Sequence, residues 1–235
     1  MPRCDFSCRG CYLGEAANQT PPLSLVEVKQ QLQRLREWLG EGGNVQLTDG
    51  EVILRPEDEV IELIRFAREI GLAPMLMTHG DAFRRRPGLL ERLMVNAGLV
   101  EVSIHVDTTQ RGRVGAEYKW ARAETDLMGL RAEFAAMIRR ARQVTGKPLQ
   151  VATTFTVTPS NLPEVATTLR WMREDVGAFK MISFQPAAEV GRTEDGVGGG
   201  VSVEDLWTRI AEGLCDAPAD RRGIGAGIGY LGHPD

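Results

Sequence analysis

The 235-residue chain has only four cysteines, three histidines and 6% aromatic residues. Four cysteines make no disulfide scaffold, and a chain of this length buries a substantial core without one. There is no excess of positive charge: 28 Lys and Arg against 32 Asp and Glu leave a net charge of −4. That balance argues against a nucleic-acid or anionic-membrane partner. No apolar run approaches the ~20 residues that a membrane-spanning helix needs. The start Met1-Pro2-Arg3, followed at once by Cys4, predicts no signal peptide. These absences predict a globular, cytoplasmic protein of one large domain, or of one domain with an extension. They name no chemistry.

What is present is a rhythm of short strand-like runs and longer helix-like runs. Ser24 to Leu39 carries Leu25, Val28, Leu32, Leu35 and Leu39 at helical spacing, with Ser24 placed to cap the start and Gly40 to end it. Further helices are predicted over Glu57 to Ile70, Pro87 to Asn96, Arg131 to Val144, Asn161 to Val176 and Ser202 to Leu214. Strands are predicted over Asn44 to Thr48, Pro74 to Thr78, Leu99 to Asp107, Leu149 to Thr158 and Met181 to Gln185. Alternation of this kind indicates crossover units and a parallel sheet. Residues 191–200, with five glycines, read as a flexible loop. The glycines between Gly223 and Gly229 do not have the dinucleotide-binding spacing. The expected division is a core over residues 1–190 and a Gly-rich loop, helix and extension over 191–235.

Strand parity separates a barrel from an open, doubly wound sheet. Val100, Val102, Ile104 and Val106 share one face of their strand; Glu101, Ser103, His105 and Asp107 share the other. Gln150, Thr154, Thr156 and Thr158 likewise oppose Leu149, Val151, Phe155 and Val157. A parallel strand covered by helices on both faces is apolar on both. One apolar and one polar face suit an α/β fold of the (β/α) barrel type, with helices outside and a wet lumen inside.

Cys4, Cys8 and Cys11 fall within eight residues, whereas Cys215 stands alone far downstream. Closely spaced thiols in such a chain point to metal rather than to a disulfide. Zinc would need a fourth ligand, which His79 or His105 could bring through the fold. A four-iron cluster held by three cysteines would instead keep one iron open to a ligand.

The three-residue then two-residue spacing of Cys4, Cys8 and Cys11, ahead of the first helix of a strand–helix series, resembles the radical S-adenosylmethionine (SAM) superfamily. Four further stretches add to the resemblance: Leu47-Thr48-Asp49-Gly50-Glu51-Val52, Thr78-His79-Gly80, Ser103-Ile104-His105-Val106-Asp107 and Thr158-Pro159-Ser160-Asn161-Leu162. They stand at predicted strand ends, where that superfamily often carries Gly-Gly-Glu-Pro, Thr-Asn-Gly, Ser-x-Asp and Pro-x-Asn-Leu. The resemblance covers about Cys4 to Gln185.

It implies a partial TIM-like barrel, open at the edge where the first strand is missing or trimmed. It implies a 4Fe–4S cluster on Cys4, Cys8 and Cys11, with SAM chelating the open iron through its amino and carboxylate groups. The implied chemistry is reductive cleavage of SAM to methionine and a 5′-deoxyadenosyl radical, which takes hydrogen from a substrate. A small-molecule or peptide substrate and a low-potential electron donor such as flavodoxin or ferredoxin are the implied partners. Glu51, with Thr48 and the backbone of Asp49 and Gly50, would hold the methionyl end. Tyr12 and Gln185 would meet adenine or substrate. His79 is a further cofactor contact, and His105 and Asp107 are the candidate catalytic pair, expected at ribose, SAM carboxylate or substrate. The alternative is a non-enzymatic zinc- or cluster-binding module on the same scaffold. It draws on the altered Gly-Gly-Glu-Pro stretch, with Asp49 for the first glycine and Val52 for the proline.

Overall fold

The computed structural model describes residues 3–14, 16–48, 50–174 and 177–215. In chain order the elements are α1 (Leu25–Leu39), β1 (Asn44–Leu47), α2 (Glu57–Glu69), β2 (Ala73–Thr78), α3 (Asp81–Arg85), α4 (Leu89–Arg92), β3 (Glu101–His105), α5 (Ala116–Lys119), α6 (Met128–Thr145), β4 (Gln150–Val157), α7 (Val165–Glu174), β5 (Met181–Pro186) and α8 (Val203–Leu214). The five strands lie in sequence order and every neighbouring pair is parallel. They form a curled half-barrel with helices outside, open between β1 and β5. No helix among the described residues is long and apolar enough to cross a membrane.

Local chemistry explains the main boundaries. Ser24 caps α1 in a reciprocal capping box: its hydroxyl accepts from the Glu27 N–H while the Glu27 carboxylate accepts from the Ser24 N–H. Val102, Ile104, Val151 and Leu76 point outward into one apolar core with Ile64, Leu93, Phe134 and Ile138 from the helices. The opposite parity of the same strands lines the lumen. Registers Ser103↔Ala152 and His105↔Thr154 bring the polar faces of β3 and β4 side by side, and the Ser103 and Thr154 hydroxyls meet at 3.1 Å.

Three local expectations are corrected. The helix expected over Pro87 to Asn96 starts late, at Leu89, and runs from α4 straight into a π-helical turn, Leu93–Ala97. Gly88 in the left-handed region and a non-helical Arg86 before Pro87 set that late start. The helix expected from Asn161 opens with a 3₁₀ turn, Leu162–Glu164, and the Asn161 side chain makes no cap. Its Oδ1 instead accepts from the Thr158 N–H at 2.7 Å. Residues 191–200 are not a free loop: Arg192 and Glu194 dock on the cysteine segment, and the Gly199 N–H donates to the Ala187 carbonyl at 2.8 Å. The Gly223 to Gly229 stretch falls outside the described residues. At the edge where a first strand was expected missing, Arg3 forms a single parallel bridge with Gly50. Gly50 has φ +73, and a Cβ there would lie 2.3 Å from the Arg3 carbonyl oxygen, so only glycine fits.

Candidate active site

A cavity of about 390 Å³ opens at the C-terminal ends of the strands, where barrel sites are built. Gln46 and Thr48 line it from β1 and its end, Met77 and Thr78 from β2, His105 from β3, Thr154 and Thr156 from β4, and Gln185 and Pro186 from β5. Cys4, Cys8, Cys11 and Tyr12 line the same cavity from the N-terminal segment. The structure therefore brings together Cys4, Cys8, Cys11, Tyr12, Thr48, Gly50, His79, His105 and Gln185 around one space. Tyr12 sits at its rim, 64% exposed. Asp49 lies outside the described residues. Glu51 and Asp107 are not among the lining residues; both carboxylates are fully buried behind histidines.

The cysteine segment is pinned to the end of β2. Phe6, between Cys4 and Cys8, stacks on the His79 ring, with centroids 3.7 Å apart and planes 3° apart. The Asp81 N–H donates to His79 Nδ1 at 3.2 Å, so Nε2 carries the proton of the neutral ring. That Nε2 meets Asp5 Oδ1 at 2.8 Å and Glu51 Oε2 at 3.2 Å. Glu51 is further engaged: Oε1 accepts from the Thr78 hydroxyl at 2.7 Å and from the Ile53 N–H at 3.2 Å, and Oε2 from the His79 N–H at 2.9 Å. The hydrogen bond from His79, with help from Arg85, holds the Asp5 carboxyl well below the usual range. Burial pushes the Cys4 thiol up to about 11 and the Cys8 thiol up to about 12. Bare thiols here stay protonated at neutral pH, so a metal must displace their protons on binding.

At the end of β3 the arrangement is repeated with the ring left accessible. His105 Nε2 pairs with Asp107 Oδ2 and lies 3.1 Å from the Thr156 hydroxyl. Asp107 also accepts from Thr109 N–H at 2.8 Å and from Thr156 N–H at 2.7 Å. Burial works against its charge, but His105 and these donors outweigh it and hold the carboxyl well below its ordinary value. The His105 side chain keeps 28% of its surface exposed. It can touch a ligand directly, while Asp107 orients the ring.

Several functional neighbours were not legible in the sequence. Buried Arg113 donates to the carbonyls of His79 at 2.5 Å and His105 at 2.6 Å, tying the two strand ends together, and pairs with Asp81 at 3.0 Å. Its guanidinium also sits 5.2 Å from the Phe6 ring centroid. Glu124 accepts from Thr108 N–H at 2.8 Å and pairs with buried Arg131 at 2.5 Å. Arg192 donates to Cys11 Sγ at 3.3 Å. Arg113 and Glu124 come from segments that periodicity leaves unassigned, Arg131 from the start of a predicted helix and Arg192 from the Gly-rich loop.

The Radical SAM superfamily model matches residues 1–172. The chain belongs to the radical SAM superfamily. A curated relative, the 7,8-dihydro-6-hydroxymethylpterin dimethyltransferase of Methanocaldococcus jannaschii, is 23% identical over 215 residues, covering 89% of this chain and 40% of that protein. A solved structure described as polyhistidine-tagged anSMEcpe with bound AdoMet superposes with a TM-score of 0.54 at 12% identity, covering 91% of this chain and 56% of that one. The latter likeness shows the fold. This chain thus spans about half the length of the proteins it matches, or less.

Proposed function

We propose that this chain is the core of a radical SAM enzyme, with a 4Fe–4S cluster held by Cys4, Cys8 and Cys11 and SAM bound beside it. The observation that carries the reading is the convergence of three thiols from one short segment on a cavity whose wall, among the described residues, supplies no fourth cysteine. Half-buried Cys4 and Cys8 and buried Cys11 offer soft donors that suit iron–sulfur ligation. When bound, the cluster supplies the electron that splits SAM into methionine and a 5′-deoxyadenosyl radical.

The chain's own residues do the rest. Thr48 and the backbone at Asp49 and Gly50 bind the methionyl end. Tyr12 and Gln185 bracket adenine or substrate. His105 contacts ribose, SAM carboxylate or substrate, with Asp107 fixing its ring. Glu51 acts through Thr78 and His79, holding the end of β2 under the cysteine segment. The strand-end cavity excludes competing reactants from a reactive radical. A low-potential flavodoxin or ferredoxin serves as donor, and the cytoplasm is the expected compartment. Given the pterin-modifying relative, small heterocycles are the first substrate class to screen, ahead of peptides.

The test is anaerobic reconstitution with iron and sulfide, then dithionite and SAM. The reading predicts iron–sulfur absorbance and release of 5′-deoxyadenosine, both lost in Cys8→Ala. The second reading, a zinc module, draws on Cys4, Asp5 and His79, whose potential ligand atoms lie within 4.8 Å of one another. His79 Nδ1 accepts from the Asp81 N–H, so Nε2, which faces Asp5 of the same set, would be its ligand atom. Colourless protein with one zinc per chain would establish it instead.

A further inference from the structure

Residues 191–200 have no part in the reading above, yet they clamp the cysteine segment. The Arg192 N–H donates to the carbonyls of Cys11 at 3.0 Å and Leu13 at 2.8 Å, and the Glu194 N–H to that of Arg9 at 2.8 Å. The Arg9 and Glu194 side chains pair across the same contact at 2.9 Å. Gly191 has φ +62, and a Cβ there would lie 2.2 Å from the Tyr12 carbonyl oxygen, so the two backbones meet without an intervening side chain. The clamp delivers one guanidinium to one sulfur. Arg192 Nε donates to Cys11 Sγ at 3.3 Å, while its Nη2 donates to the Phe6 carbonyl at 3.2 Å and fixes the plane of the group.

We propose that Arg192 sets the reduction potential of the cluster through this charged N–H···S bond to Cys11. The inference rests on the assignment of Cys11 as a cluster ligand. Hydrogen bonds to ligand sulfurs and local charge are among the levers that tune such centres. An added electron makes the thiolate-bound core more negative, so a cation held against one of its sulfurs stabilises the reduced state more than the oxidised one. The Phe6 N–H, which donates to Cys4 Sγ at 3.4 Å, does the same without a formal charge. Arg192 is therefore a positioning and tuning residue rather than a catalytic one.

The experiment is a redox titration of the reconstituted protein followed by electron paramagnetic resonance, on wild type, R192M, R192Q and R192K. R192M and R192Q are expected to keep their iron and sulfide and to be about tenfold harder to reduce. That is a midpoint about 59 mV more negative for a one-electron couple. R192K, which restores the charge on a different arm, is expected to fall between them and wild type. Iron-loaded R192M and R192Q with the wild-type midpoint would overturn the inference alone. So would loss of iron from both, which would make Arg192 a strut for the segment. Wild type that takes up no iron would overturn the cluster assignment and this inference with it.

Discussion

Two histidines stand at the C-terminal ends of neighbouring strands, each backed by a fully buried carboxylate, and their surroundings give them opposite duties. His79, just past β2, keeps 5% of its side-chain surface, with Glu51 behind it and Phe6 stacked on top. His105, the last residue of β3, keeps 28%, with Asp107 behind it and the cavity in front. The same imidazole–carboxylate unit is stacked under the cysteine segment in one place and left open to the cavity in the other. What decides between them is a single aromatic ring delivered by the segment between Cys4 and Cys8.

Substitutions at the two ends should separate these duties. The largest effect is expected behind β3. Glu124→Ala removes the partner of buried Arg131, and leaving such a charge uncompensated costs about 3–5 kcal/mol. Denaturant unfolding reads it directly; a loss under about 1 kcal/mol would mean that the β3 end is supported some other way. Behind β2, Glu51→Ala strands the Thr78 hydroxyl and the His79 N–H, at about 1–3 kcal/mol. Iron uptake should fall with it, since the pin loosens. Normal stability and iron content with weakened SAM binding would return Glu51 to direct contact with the methionyl amine.

His79→Ala should destabilise by about 1–2 kcal/mol through the lost stack and hydrogen bonds, and should lower iron occupancy in reconstitution. His105→Ala should have the smallest effect on stability, below about 1 kcal/mol, because Asp107 keeps its Thr109 and Thr156 donors. It should keep its iron and lose 5′-deoxyadenosine release. If His105→Ala sheds iron while His79→Ala keeps it, the two duties are reversed.

Much of this architecture was legible in the chain. The parity of β3 and β4 announced a polar lumen, and the structure lines it with His105, Thr154 and Thr156. The three cysteines meet Thr48, Gly50, Thr78, His79 and His105 of the strand-end stretches around one cavity, whereas no residue of Thr158 to Leu162 lines it. Glu51 and Asp107 were expected at the cofactor from the resemblance of their strand-end stretches to Gly-Gly-Glu-Pro and Ser-x-Asp. Burial behind a histidine depends on tertiary packing that local sequence does not encode. The polar ties were hidden for the same reason. Arg192 lies 181 residues from Cys11 in sequence, in a stretch whose glycines signal looseness, yet those glycines permit the close backbone approach that docks it. Arg113 falls between predicted elements and Arg131 opens a predicted helix, and nothing local marks them as buried at 3% and 2% exposure.

The decisive measurement is the electron paramagnetic resonance spectrum of the anaerobically reconstituted, dithionite-reduced protein with and without SAM. Three cysteines holding a four-iron cluster with one iron open predict a reduced-cluster signal whose shape changes when SAM binds. A signal indifferent to SAM, or zinc in place of iron, would contradict it.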